Sequence, residues 1–196
     1  MRLLTKGLGL ALVALTGMSR VSAAQVTEVD IGGLLGVSLP TQEAADLYVP
    51  GWMAGGSIRV VPAAWPVGLQ VDVTTASYNR DVANIADRGL NILTGSLSVM
   101  YQVELTASPI EPYGFVGVAV NRLSVSNPRT IDSYGTNTAF GLVLGGGVAF
   151  KKDHSRIAPL IDFRLLGIFG SDPRETAYIS FSVGVQILLK GRHAAP

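Results

Sequence analysis

From Ala177 to Lys190 the chain reads AYISFSVGVQILLK, and every second residue from Ile179 to Leu189 is apolar. Ile179, Phe181, Val183, Val185, Ile187 and Leu189 share one parity, while Tyr178, Ser180, Ser182, Gly184, Gln186 and Leu188 share the other. Successive side chains of a strand point to opposite faces, so a period of two predicts a strand with one greasy and one largely polar face. Ordinary strands run to about five or six residues, whereas a strand that crosses a bilayer at a tilt needs about 9 to 11. The length of this alternation predicts the second kind.

The same rule recurs upstream, with strands predicted at Val29–Leu39, Trp52–Val61, Val67–Tyr78, Ile92–Leu105, Tyr113–Leu123, Ala139–Phe150 and Ala158–Phe169. The fourth is as regular as the last, setting Leu93, Leu97, Val99, Tyr101, Val103 and Leu105 against Thr94, Ser96, Ser98, Gln102 and Glu104. In the fifth, Val116, Val118 and Val120 share one parity but Tyr113 and Phe115 fall on the other, and a bulge near Gly117 would reconcile them. Long connections follow strands one, three, five and seven, and short ones follow two, four and six. Long loops at one end and short turns at the other mark a transmembrane barrel. The predicted fold is therefore all-β, an eight-stranded antiparallel up-and-down transmembrane β-barrel.

Volume decides which parity faces inward. An eight-stranded barrel has an interior just wide enough for side chains to fill it, so large apolar residues on every strand would crowd that space. The parity rich in Gly, Ser, Thr and Ala fits the lumen, and the apolar parity is left for lipid. The strand charges Asp30, Arg59, Asp72, Glu104, Asp162 and Arg164 lie on the polar parity, with Arg122 an exception in strand five. Both signs in a narrow lumen neutralise one another by pairing. A plugged interior is expected, not an open pore. Aromatic residues are expected at both membrane interfaces, with Trp52, Tyr78, Phe169 and Tyr178 near the long-loop end and Trp65, Tyr101, Tyr113 and Phe150 near the short-turn end.

Residues 1–24 read as an export signal, with Arg2 and Lys6, an apolar run from Gly7 to Leu15, and small residues at Ser22, Ala23 and Ala24. The barrel then occupies residues 25–190, and residues 191–196 form a short tail. The chain has no cysteine, which excludes a lipid-anchored signal, disulfides and thiolate metal sites. Removing Arg2, Lys6 and Arg20 from fifteen basic residues leaves twelve against fourteen acidic, a mild patternless charge with no footprint for nucleic acid. Charged residues make up only 15% of the chain, against roughly 25% in soluble domains. Yet the longest apolar candidate after the signal, Ala139–Phe150, is too short for a membrane helix and holds four glycines.

On this pattern the chain resembles the small eight-stranded outer-membrane barrels of Gram-negative bacteria, the OmpA-like and OmpX-like proteins. PYGFVGVAV at Pro112–Val120 is similar to a strand opening common in such barrels, and Ser182, Gly184, Ile187 and Leu189 match the family's C-terminal assembly signal. The family usually ends at an aromatic residue, whereas Leu189 holds that place here and KGRHAAP follows. The resemblance implies insertion into the outer membrane by the insertion machinery, contact with outer-membrane lipid, a monomer, and long loops outside the cell. A structural or surface-interaction role is expected.

Two other readings compete. A secreted, soluble, lipocalin-like barrel would bury the apolar parity around a small apolar ligand. A lipid-modifying barrel enzyme would need a His base near the outer leaflet, but His154 and His193 both fall at the short-turn end. Asp153, His154 and Ser155 are adjacent in one turn and cannot form a relay. Gly145, Gly146 and Gly147 lack the Lys-Ser or Lys-Thr of a phosphate loop and read as close packing in a barrel wall. No catalytic residue, metal site or cofactor is expected.

Overall fold

The computed structural model describes residues 28–62, 67–79, 89–103, 105, 108–125, 136–151, 155–170 and 177–190. The expected export signal and the tail lie outside the described residues. The strands are β1 (Glu28–Pro40), β2 (Gly51–Val61), β3 (Val67–Tyr78), β4 (Leu90–Gln102), β5 (Ile110–Val125), β6 (Asn137–Phe150), β7 (Ile157–Ile168) and β8 (Ala177–Lys190). Each pairs antiparallel with the next, and β8 returns to β1 to close an eight-stranded barrel. No described helix is long and apolar enough to cross a membrane.

A lateral row of neighbours that starts at Asp30 passes Arg59, Gln70, Ser98, Gly117, Val143, Leu166 and Tyr178, then meets β1 again at Pro40. The row has climbed from residue 30 to residue 40 in one circuit, and this stagger tilts the strands against the barrel axis. Tilt matches long strands to the thickness of a bilayer.

The apolar parity faces outward on every strand. Leu35, Val118, Val183 and Leu189 are all more than half exposed, and Phe140 reaches 73%. This overturns the lipocalin-like alternative, because the residues that would have enclosed an apolar ligand form the outer surface. The strand ends joined by residues 41–50, 79–89, 126–136 and 169–176 lie at one end of the barrel, and those joined by 62–66, 103–109 and 151–156 lie at the other.

Strand five departs from expectation. Its pairing with β4 and with β6 runs without a register break from Ile110 to Val125, so there is no bulge at Gly117. Tyr113 and Phe115 instead point into the lumen, directly across from Gly147 and Gly145. A Cβ on Gly147 would sit 2.6 Å from the Tyr113 hydroxyl, and one on Gly145 would run into the Phe115 ring. The glycines of β6 leave the room that the rings of β5 occupy. The only register shift at the β1–β8 seam lies between Val29 and Asp30.

Candidate functional site: the barrel lumen

Inward positions on all eight strands build the lumen, and their chemistry changes along its axis. At the short-turn mouth, Lys151 just beyond β6 donates to Glu28 of β1 and forms an ion pair with Glu111 of β5 at 2.8 Å. Gln102 donates to the same Glu111 carboxylate at 2.7 Å. Burial pulls the Lys151 ammonium toward its neutral form, but the two carboxylates outweigh it and hold its pKa above the ordinary lysine value.

Next comes a charged layer. Asp30 and Arg59 are direct cross-strand neighbours, both almost wholly buried, yet the Gln186 amide mediates between them. It donates to Asp30 Oδ2 and accepts from Arg59 Nη1 at 3.0 Å. The Arg59 guanidinium lies 4.1 Å from the centre of the Tyr113 ring, a cation–π contact. The Tyr113 hydroxyl donates to Asp162 at 2.8 Å. Asp162 accepts from Arg164 Nε at 2.5 Å, and Arg164 Nη1 reaches Asp72 at 3.1 Å. Asp72 is further held by Gln70 Nε2 and by the Ser96 hydroxyl.

One arginine thus serves two buried carboxylates, each with additional donors. That is the condition under which buried charge is tolerated. Asp30 Oδ1, Arg59 Nε and Nη2, Gln70 Oε1 and Ser98 Oγ have no hydrogen-bond partner among the described residues, and these four residues are successive neighbours on the lateral row that begins at Asp30.

The long-loop end is apolar. Tyr78, Leu90, Ile92, Leu123, Ala139, Ile168 and Tyr178 pack together beneath Ala44 and Tyr48, which belong to the connection carrying the short helical turn Gln42–Asp46. The Tyr78 and Tyr178 rings stand 5.2 Å apart, and the Tyr78 hydroxyl bonds to Ser38 at 2.6 Å. Between this cap and Arg164 lies a cavity of about 30 Å³, lined by Ser38, Thr74, Thr94 and Ser96 and by the apolar Met53 and Ile92. It has room for about two water molecules.

Asp30, Arg59, Asp72, Asp162 and Arg164 therefore lie buried in one interior network, while Glu104 lies outside the described residues. Ser182 is buried, Gly184 faces inward where a Cβ would sit 2.8 Å from Leu34, and Ile187 and Leu189 point outward. Three aromatics expected at the membrane interfaces, Tyr78, Tyr113 and Tyr178, are lumenal, because their parity is the polar one; Trp52, Tyr101, Phe150 and Phe169 are exposed on the outside. Trp65 and His154 lie outside the described residues. Sequence reasoning passed over Tyr113, Gln70 and Gln186 as members of the network, although all three share the parity of the charges.

A family model for the outer membrane protein beta-barrel domain matches residues 8–186. The chain belongs to this family. It is an outer-membrane protein of the small eight-stranded type found in Gram-negative bacteria. Neisserial surface protein A has a similar structure, with a TM-score of 0.59 and 17% identity over 82% of this chain and 96% of that one. A major outer membrane protein from Thermus thermophilus gives 0.56 at 14% identity, covering 83% and 99% of the two chains. Ail, the attachment invasion locus protein of Yersinia pestis, solved in complex with the heparin analogue sucrose octasulfate, gives 0.54 at 9% identity, covering 84% and 99%. At these identities the likeness is one of fold. No curated protein matches the chain in sequence.

Proposed function

We propose that this family member is a non-enzymatic, monomeric barrel with a closed lumen, whose role is structural or lies in contacts made by its long loops. The observation that carries this reading is the layered filling of the interior. A mouth crossed by Lys151, a paired charge layer and an apolar cap follow one another along the axis. The cavity beneath the cap and the unpartnered atoms beside Arg59 suit isolated internal waters rather than a continuous path for ions.

Among the described residues no cluster of ligating side chains could hold a metal ion, and the inward carboxylates are committed to arginine, lysine, tyrosine and amide partners. In this reading residues 1–24 direct export, and Ser182, Gly184, Ile187 and Leu189 present β8 to the insertion machinery. Planar bilayers provide the test. Insertion without stable conductance steps is expected, and large, stable steps would overturn the closed lumen.

A further inference from the structure

The connection from β1 to β2 lies over the long-loop end of the lumen, between Pro40 and Pro50, each of which fixes its own φ. Its short helical turn, Gln42–Asp46, places Ala44, with Leu47 and Tyr48 just beyond, in the apolar cluster that holds Tyr78, Ile92 and Tyr178. The turn has no side-chain cap, because Thr41 gives its hydroxyl to the Ala177 carbonyl of β8 at 2.5 Å, and the Thr41 amide donates to the same carbonyl at 3.0 Å. At the far end the Val49 amide donates to the Asn79 carbonyl at 3.0 Å. A short turn tied at its two ends opens at lower cost than a strand laced by a full ladder.

Beneath it is the cavity of about 30 Å³, which shares Tyr78, Ile92 and Tyr178 with the cluster above. At its floor is Arg164, 5% exposed, whose Nη2 has no hydrogen-bond partner among the described residues. Ser38, Thr74 and Ser180 contribute to a polar side of the wall, Met53 and Val143 to an apolar one. Asp72 and Asp162 already more than balance the single Arg164 charge, so an anion gains little there. A neutral molecule with a carbonyl oxygen can take the free donor and leave both ion pairs in place. Two waters occupy about 60 Å³ of liquid, the share of a molecule of about four non-hydrogen atoms.

We propose that residues 41–50 are a lid and that the cavity beneath is a binding site, entered from the long-loop end, for a small neutral carbonyl compound of the size of acetamide. Arg164 Nη2 donates to the carbonyl oxygen, and the apolar side of the wall takes the methyl group. The site deepens the closed-lumen reading, and the two fail separately: conductance reports passage through the charged layer, whereas the site needs access only from above it.

The chain has no cysteine, so Thr74→Cys puts a single thiol in the cavity wall. Its rate of modification by neutral methyl methanethiosulfonate, in the folded protein in detergent, reads the lid. Adding Tyr48→Ala should raise that rate at least about tenfold, since the lid loses a buried ring, and adding Thr41→Val, which removes one latch, should raise it less. Adding Lys151→Met at the opposite mouth should leave it unchanged. Acetamide should slow the modification and acetate, its charged counterpart of the same shape, should not; in wild type, saturation-transfer NMR should show contact with acetamide alone. Heat-dependent gel mobility establishes that each variant is folded. A rate indifferent to both lid variants, or one raised by Lys151→Met, would overturn the lid. Acetate bound as well as acetamide, or neither bound, would overturn the site.

Discussion

At the long-loop end of the lumen, Tyr78, Leu90, Ile92, Leu123 and Tyr178 fill the inward positions, whereas the corresponding positions nearer the short turns hold Arg59, Asp72, Asp162 and Arg164. Both regions are filled with side chains, and both are built on the same parity of the barrel's strands. Apolar packing is graded, since each methylene lost costs a little and its neighbours still touch. A charge network works all or none, because removal of one member leaves its partner buried without compensation. The two ends of one interior should therefore respond differently to substitution.

The largest effect should come from Arg164→Met, which strands Asp72 and Asp162 and should destabilise the barrel by about 3–5 kcal/mol, read as urea unfolding in lipid vesicles by gel mobility. Adding Asp72→Asn and Asp162→Asn to that variant sharpens the contrast. The triple variant should recover most of the loss, and a triple variant as unstable as the single one would show that charge is not the cause. In the cap, Ile92→Ala should cost about 3 kcal/mol through the cavity it leaves, with no rescue by any charge change. Tyr78→Phe removes the hydroxyl bonded to Ser38 and should cost about 1 kcal/mol in the same assay.

The smallest effect concerns Lys151 at the mouth. Its pKa is raised on folding, so its contribution to stability is fully present below the unfolded value near 10.4 and is lost as pH climbs through the folded value. Unfolding should become easier in that alkaline window for wild type. In Lys151→Met this component of the pH dependence should vanish.

How much of this was legible in the sequence follows from what alternation encodes. A period of two assigns each residue to a face, which was enough to place Asp30, Arg59, Asp72, Asp162 and Arg164 on the inner side of their strands. Parity says nothing about partners, which depend on the stagger between strands. Nothing in the order of residues indicates that Arg164 meets Asp72 four strands away, or that Gln186 mediates between Asp30 and Arg59. In strand five the bulge that would put Tyr113 and Phe115 on the apolar parity is absent, and the glycines that accommodate their rings inside lie on the neighbouring strand. The tyrosines of the cap were assigned by chemistry to the membrane interface although their parity placed them inside.

The seam between β1 and β8 joins Pro40 to Tyr178 and Asp30 to Leu188, and side chains stitch it through Gln186 and through the 2.8 Å contact of Ser38 with Ser180. Seven strands alone would form a sheet with two open edges, each a row of unpaired amides and carbonyls ready to pair with another chain. Because the closing strand is the last stretch of the wall in the chain, no earlier segment can seal the sheet. Both edges stay open until residues 177–190 pair with residues 28–40.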